Sequence, residues 1–351
     1  MRAQRAFSPN GGLSGIMRTM QAAETQPKAA TLDELRSLVE DDWAAVNRLI
    51  FQRLGSDVAL VNQVAHHITH GGGKRLRPLA VLLASRACGY HGAAHVPAAV
   101  IIEFIHTATL LHDDVVDESA LRRGRKTANS VFGNQASVLV GDFLYSRAFQ
   151  MMIEVGEMDI LDVLANATNT IAEGEVLQLM NCNNPDLAES DYLEVIFRKT
   201  AKLFEAGAEC AAILAEQDEK TRQSLVSYGR HLGLAFQLVD DALDYNATAE
   251  ELGKNIGDDL AEGKSTLPLI YAMKMGSAAE RHMIREAIET GGTQNLTSIH
   301  LAIQATGGLR YTAERAQEEA ESAIAALDRI PNTPYREGLI KLARFAVNRR
   351  F

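Results

Sequence analysis

Apolar positions recur along most of the chain with the spacing of helices rather than strands. From Thr31 onward, segments rich in Ala, Leu, Ile, Met and Glu alternate with short groups of glycine, asparagine or proline. These segments contain good helix formers, and alternating strand patterns joined by Asn-Gly turns are missing from the sequence. The breakers fall at 71–73, 89–92, 124, 181–185, 276, 291–292 and 331–334. The pattern predicts an all-α protein.

The first helix is predicted to begin beside Thr31. Thr31 and Glu34 have the spacing of a capping box, in which each side chain accepts a hydrogen bond from the other residue's backbone. Residues 1–30 mix Gly, Ser, Pro and Arg without helical periodicity, so we expect a disordered leader there. Residues 31–351 contain neither a fixed repeat nor a long linker, which predicts a single all-α domain.

Two segments are apolar well beyond one helical stripe. They span residues 96–116 and 201–215. Helices that are apolar nearly all round lie inside a large bundle rather than on its surface. Both segments are therefore predicted to form buried helices.

Charge and cysteine usage narrow the class of protein. The 351 residues carry a formal net charge of -10, which argues against a nucleic-acid binder held by phosphate attraction. Cys88, Cys182 and Cys210 are widely spaced and odd in number, so a disulfide framework or zinc site is not expected. No apolar run is long enough to span a bilayer. These features favour a cytoplasmic protein.

Two carboxylate clusters stand where apolar helices are predicted. In LLHDDVVDES, Asp113 and Asp117 lie one turn apart, and FQLVDDALDY repeats the arrangement with Asp240, Asp241 and Asp244. Like charges at this spacing repel, and an apolar setting makes unpaired carboxylates costly. One such cluster could be a solvated helix face, but two favour a cation site. Oxygen ligands that also bridge to phosphates suit Mg²⁺.

Basic residues accompany both acidic clusters. Each alone could be a surface charge, but their positions together predict an anionic, phosphate-bearing ligand. A P-loop is excluded, since its glycine and lysine spacing is absent from the sequence. His106 could be a packed core histidine or a donor to a diphosphate. The basic residues are Lys74, Arg75 and Arg77 after three glycines, then Arg122, Arg123 and Arg125, Lys199, and finally Lys254 and Lys264.

These motifs resemble those of the trans-isoprenyl diphosphate synthase family. The stretches GGGKRLRP, LLHDDVVDESALRRG, FRKTAKLFEAG, FQLVDDALDY and LGKNIGDDLAEGKSTLP stand in the family's order, from about residue 31 onward. The likeness is greatest to its bacterial octaprenyl diphosphate branch. It implies an isoprenoid-synthase-type helical bundle around a central cavity, and a homodimer.

The resemblance also implies roles for individual residues. As Mg²⁺ ligands it implies Asp113, Asp117, Asp240 and Asp244. As contacts to the allylic diphosphate it implies Arg122, Lys199, Thr200, Gln237, Lys254 and Lys264. As the isopentenyl diphosphate site it implies Lys74, Arg77, His106 and Arg123. The catalytic group would be Asp113, Asp117, Asp240 and Lys199.

The implied reaction adds isopentenyl diphosphate to an allylic diphosphate, with farnesyl diphosphate as the expected primer. The expected product is octaprenyl diphosphate for a quinone side chain, with nonaprenyl or decaprenyl diphosphate as alternatives. Ala108 and Thr109, five and four residues before Asp113, are small and would admit a long chain. Release of such a product suggests contact with a membrane surface.

Three other functions remain open at this level. A class I terpene cyclase also has an aspartate-rich motif, but its second motif usually carries Asn, Ser and Glu. A di-iron bundle would use Glu103 and His106, yet such sites need a second ExxH pair. A non-catalytic subunit of a heteromeric synthase would be expected to lack aspartates or basic contacts.

Overall fold

A computed structural model describes residues 31–70, 73–122, 124–245 and 257–348. The expected disordered leader, residues 1–30, lies outside these ranges, as do Arg123 and Lys254. Within them the chain is helical almost throughout, which confirms the all-α prediction. None of the helices described is both long and apolar enough to cross a membrane.

The first half of the chain contains eight helices and one short hairpin among the residues described. The helices are α1 (Leu32–Ser37), α2 (Glu40–Leu54), α3 (Ala59–His70), α4 (Leu76–Ala87), α5 (His95–Val116), α6 (Ala128–Phe132), α7 (Asn134–Val155) and α8 (Met158–Asn181). Strands β1 (Leu121–Arg122) and β2 (Arg125–Lys126) pair antiparallel between α5 and α6.

The second half continues with α9 (Glu189–Ile196), a π-helical turn (Phe197–Ala201), α10 (Lys202–Leu214) and α11 (Glu219–Asp244). The remaining helices are α12 (Asp258–Ala261), α13 (Leu267–Met275), α14 (Ala278–Thr290), α15 (Leu296–Thr306), α16 (Gly308–Ala326) and α17 (Pro334–Val347), with a 3₁₀ turn at Leu327–Arg329.

Local signals in the sequence fix several helix boundaries. At the start of α1, the backbone N–H of Glu34 donates to Thr31 Oγ1 (3.3 Å), and that of Thr31 donates to Glu34 Oε2 (3.0 Å). The predicted capping box is therefore present.

The β1–β2 hairpin was not predicted. Its two-residue strands are too short to show an alternating pattern, and they meet around Gly124, whose φ of +73° suits glycine.

The two helices predicted to be buried form the centre of the core. In α5, Ile101, Ile102 and Ile105 are fully buried, and in α10 a run of small residues packs against α4, α8 and α11. A Cβ added at Gly229 of α11 would lie 2.5 Å from the carbonyl oxygen of Phe204 in α10. Small residues thus let α10 and α11 approach closely, and the π-helical turn directly before α10 lines a common cavity with Gln237 and Asp240 of α11.

Candidate active site

A cavity of about 720 Å³ opens between α5, α8 and α11. Asp113 and Asp117 at the end of α5 line it together with Asp240 of α11. The two acidic motifs are therefore brought to one cavity, although more than a hundred residues separate them in the chain. This is the juxtaposition that the sequence predicts.

Two lysines place positive charge beside the outer aspartates of the first motif. Lys264 Nζ lies 3.1 Å from Asp117 Oδ2 and also contacts Glu262. Lys199 Nζ lies 2.6 Å from Glu175 Oε2 and 3.8 Å from Asp113 Oδ2. Both lysines line the cavity, where the sequence places contacts to a diphosphate.

A π-helical turn presents two consecutive residues to the cavity. Because a π turn contains an extra residue, Lys199 and Thr200 can both face inward, and both line the cavity. Helix α8 packs directly against this turn at Gly174, where a Cβ would lie 2.7 Å from Arg198 Cβ and 2.9 Å from Lys199 N. The close approach lets the next residue, Glu175, reach the Lys199 ammonium group.

Arg122 is held at the cavity by the middle aspartate of the first motif. Its Nε donates to Asp114 Oδ1 at 2.7 Å, and Asp114 is buried. A guanidinium group has further N–H donors, so this hydrogen bond orients Arg122 without using up its capacity to bind an anion. The β1–β2 hairpin, which carries Arg122, forms part of the cavity rim.

The second motif has a hydrogen-bonded support of the same kind. Gln237 Nε2 donates to Asp241 Oδ1 at 2.7 Å, and Tyr192 Oη donates to Asp241 Oδ2 at 2.5 Å. Thr200 Oγ1 in turn donates to Gln237 Oε1 at 2.8 Å. Thr200 and Gln237 line both the main cavity and a neighbouring one of about 120 Å³, whereas Tyr192 and Asp241 line only the smaller one.

Another part of the cavity wall, at the start of α4 and two turns before Asp113 on α5, is basic. Lys74, Arg77 and His106 line it, as predicted for a second diphosphate. Arg77 Nη1 lies 3.2 Å from His106 Nε2, and its guanidinium group lies over the Phe204 ring at 4.5 Å. Arg75 instead faces Glu103 at 3.8 Å. One end of the cavity is thus dominated by carboxylates and the other by cations.

Burial and neighbouring negative charge raise the pKa values of several aspartates at the site. Burial, opposed by Lys199 and reinforced by Asp117, raises the pKa of Asp113. Burial and the nearby Asp259 raise the pKa of both Asp241 and Asp244 to about 8. Additional positive charge near these groups would favour their ionised forms.

The donor set fits a divalent cation shared with a ligand. Asp244 Oδ2 is buried and has no hydrogen-bond partner among the described residues, so it is available there to accept from a donor or to bind a cation. Within the same ranges, no three Asp, Glu, His or Cys side chains are placed to hold one ion by themselves. Mg²⁺ commonly binds one or two carboxylates and completes its shell with water and phosphate oxygens, which this arrangement permits.

The predicted metal ligands differ in their positions. Asp113, Asp117 and Asp240 line the main cavity, whereas Asp244 lies outside its lining, at the end of α11. Its role as a ligand stays a prediction.

The two predicted chain-length residues also differ. Thr109 lines the cavity, whereas Ala108 is fully buried in the core and is not part of the lining. Apolar residues that line the same cavity as Thr109 include Ile50, Leu54, Ile68, Phe104, Leu110 and Leu144. This is the region where an apolar chain would be accommodated.

Four acidic residues of the site were not assigned from the sequence. They are Glu175, Asp258, Asp259 and Glu262, all of which line the cavity. The signals in the sequence that could have pointed to these residues are the two glycines that precede them, Gly174 and Gly257. Gly257 has a φ of +77° directly before α12, which presents Asp258 and Asp259.

Fold and site together define an all-α bundle whose cavity combines two acidic motifs with basic residues. The model of the polyprenyl synthetase family matches residues 58–305. The chain is 57% identical to octaprenyl diphosphate synthase of Escherichia coli, an alignment covering 91% of this chain and 99% of that protein. It is 49% identical to a geranyl-diphosphate-specific all-trans-nonaprenyl-diphosphate synthase of Rhodobacter capsulatus, over 89% and 96% of the two chains.

A solved structure agrees with these relatives. The crystal structure of a polyprenyl synthase from Caulobacter crescentus, complexed with calcium and isoprenyl diphosphate, superposes with a TM-score of 0.88 at 47% identity, covering 92% of this chain and 99% of that one. The chain belongs to the polyprenyl synthetase family and is a long-chain trans-polyprenyl diphosphate synthase that uses isopentenyl diphosphate and an allylic diphosphate. The terpene cyclase and di-iron alternatives are thereby excluded.

Proposed function

We propose that this enzyme extends farnesyl diphosphate to octaprenyl diphosphate with Mg²⁺ and that the product supplies a quinone side chain. The main support is a single cavity that has two acidic motifs at one end, a basic wall at the other and an apolar pocket beside Thr109. The identity to an octaprenyl diphosphate synthase favours that product over a nonaprenyl or decaprenyl one.

At the acidic end, Asp113, Asp117, Asp240 and Asp244 would hold Mg²⁺, which when bound stabilises charge on the departing diphosphate. Lys199, Lys264 and Arg122 already line this end, where their N–H groups can donate to the same diphosphate. Thr200 and Gln237 lie on the adjacent wall, and Lys254 is proposed for the same substrate. These residues favour cleavage of the allylic C–O bond and formation of an allylic cation.

At the basic end, Lys74, Arg77 and His106, with Arg123, are proposed to fix isopentenyl diphosphate. The double bond of isopentenyl diphosphate then attacks the allylic cation, a new C–C bond forms, and a proton is lost. Water would quench the cation, so the apolar wall at Phe104 and Leu144 also protects the reaction.

The decisive experiment is mass spectrometry of the products from farnesyl diphosphate, isopentenyl diphosphate and Mg²⁺. The isolated chain should consume isopentenyl diphosphate and yield octaprenyl diphosphate. A chelator should abolish turnover, and added Mg²⁺ should restore it. A longer or shorter main product would refute the octaprenyl assignment. No consumption of isopentenyl diphosphate would instead favour a subunit that needs a partner chain.

The exposed surface of α7 and α8 supports the proposed homodimer. Leu139 and Ile153 lie about four turns apart on α7 and are 65% and 71% exposed. Val176, Leu179 and Met180 follow helical spacing near the end of α8 and are each more than half exposed. A patch of this kind typically marks a protein interface.

Light scattering coupled to gel filtration tests this interface. The chain should elute with twice its own mass, and the double variant Leu139→Glu, Ile153→Glu should elute as a monomer. Leu301→Glu changes an equally exposed leucine on α15 and should leave the mass unchanged. A monomeric unmodified chain would contradict the proposal.

A cytoplasmic location with product release at a membrane surface is also proposed. Its support is the strongly apolar product together with the absence of a spanning helix from the described residues. Vesicle flotation of the enzyme with and without prenyl product tests this, since binding only with product is expected. Equal flotation in both samples would contradict release as the cause of binding.

A further inference from the structure

The middle aspartates of the two acidic motifs share an unexpected position. Asp114 and Asp241 are each only 4% exposed, and neither belongs to the lining of the main cavity. Each accepts a hydrogen bond from a residue that does line it, namely Arg122 and Gln237. Their flanking aspartates, in contrast, include the predicted metal ligands. The middle positions therefore serve a different purpose.

The hydrogen bonds that hold Gln237 involve two more residues, Tyr192 and Thr200, than the single hydrogen bond between Arg122 and Asp114. Tyr192, on α9, is 3% exposed and donates its hydroxyl hydrogen to Asp241. On the other side, the Thr200 hydroxyl donates to Gln237 Oε1. A continuous series of hydrogen bonds thus runs from the smaller cavity to the wall of the main one.

The chemistry of these groups determines which way the Gln237 amide faces. Both carboxyl oxygens of Asp241 act as acceptors, one from the Tyr192 hydroxyl and one from Gln237, so Asp241 takes the Nε2 end of the amide. The reversed amide would place its oxygen against the carboxylate and would deprive the Thr200 hydroxyl of its acceptor. Because Tyr192 holds the other oxygen of Asp241, the carboxylate itself has little freedom to turn.

We propose that Tyr192 and Asp241 are a positioning pair that fixes the Gln237 amide with its N–H₂ group directed to serve the allylic diphosphate. This inference rests on the proposed role of Gln237 in binding that substrate. The amide nitrogen carries two hydrogens, and one is used by Asp241. The second can donate to a phosphate oxygen, whereas a reversed amide would present a repelling lone pair. The pair therefore acts on the allylic substrate and not on isopentenyl diphosphate.

Tyr192→Phe removes this hydrogen bond to Asp241 without changing a residue that lines the main cavity. We expect the KM for farnesyl diphosphate to rise roughly tenfold, equivalent to about 1.4 kcal/mol. The KM for isopentenyl diphosphate should stay unchanged. Tyr228→Phe is the matched control, because Tyr228 is also fully buried and donates one hydrogen bond, to the Leu339 carbonyl oxygen at 2.9 Å. It should lower Tm but change neither KM.

A double-mutant cycle tests whether the effect passes through Gln237. Gln237→Ala should raise the KM for farnesyl diphosphate, and adding Tyr192→Phe should raise it no further. The inference is overturned if Tyr192→Phe leaves that KM unchanged, raises both KM values equally, or acts with full effect in the Gln237→Ala background. An unmodified enzyme that does not extend farnesyl diphosphate would refute the proposed function instead.

Discussion

Replacing Thr109 with phenylalanine should shorten the product. The Thr109 side chain and that of the next residue, Leu110, both line the cavity. The Thr109 hydroxyl donates to the His106 carbonyl oxygen at 2.9 Å. A phenyl group at this position would extend into the space proposed for the growing chain. Elongation should then stop when the chain reaches the new wall.

The size of the effect follows from the apolar surface that each added unit buries. One isoprene unit contributes five carbons, and burial is worth about 0.8 kcal/mol per carbon, or about 4 kcal/mol per unit. A wall that excludes one unit withdraws this gain, which corresponds to a factor of about a thousand in occupancy. Even a partial obstruction should therefore move the main product by at least one unit.

Ala108 offers an informative comparison because it is enclosed by the core. Phe104, one turn earlier on the same face of α5, lines the cavity, so a phenyl group at 108 could find room only by intruding there or by disturbing the core. Ala108→Phe should also shorten the product, but with a loss of about 1–3 kcal/mol of stability from overpacking. Thr109→Phe should show the change in product with a smaller loss of Tm.

The assay is chromatography and mass spectrometry of products from farnesyl diphosphate, isopentenyl diphosphate and Mg²⁺. Thr109→Val is the matched control, since it removes the hydroxyl at nearly constant size and should retain the original product. If Thr109→Phe gives the same length distribution as the unmodified enzyme, the growing chain does not pass this wall and the cavity assignment is wrong.

Three further predictions concern the metal site, the π turn and acid stability. Asp113→Ala should lower kcat by orders of magnitude with an unchanged circular dichroism spectrum, and near-normal kcat in saturating Mg²⁺ would exclude it as a ligand. Gly174→Ala should lower the free energy of unfolding by about 1–3 kcal/mol and reduce kcat by displacing the π turn. In the control Gly55→Ala, the new Cβ would lie 3.6 Å from its nearest neighbour, so stability and kcat should both be retained. An equal loss of Tm in the two variants would contradict the close contact at Gly174. Burial lowers the pKa of His95 from 6.5, so protonation favours the unfolded chain and Tm should fall as the pH drops below that value. His95→Gln should reduce this fall in Tm. An identical pH dependence in the variant and the unmodified chain would refute the role of His95.

The sequence predicted those features that depend on local pattern or on electrostatic cost. The capping box at Thr31 and the buried segments in α5 and α10 follow from short-range spacing, and the structure contains them. The meeting of the acidic motifs followed from another argument. The electrostatic cost of carboxylates in apolar helices predicted a cation, and the family resemblance implied that both motifs face one central cavity.

Other features depend on contacts that spacing does not encode. The π turn at 197–201 adds one residue to a helix without changing its composition, so periodicity could not reveal it. Glu175 is one of many glutamates in an acidic chain, and only the approach of α8 to that turn gives it a role. Tyr192 lies 49 residues from Asp241, and nothing in either segment indicates their hydrogen bond.

The charge distribution explains why this cavity needs two kinds of ligand together. At the acidic end, burial raises the pKa of Asp113 although Lys199 is nearby, so the lysines alone do not fully compensate the carboxylates. At the basic end, Lys74 and Arg77 line the cavity with positive charge. A free diphosphate would be repelled by the first region and attracted only to the second. On the proposed function, a divalent cation that accompanies one diphosphate would reverse the balance at the acidic end and would let two anionic substrates lie in the same cavity, one at each end.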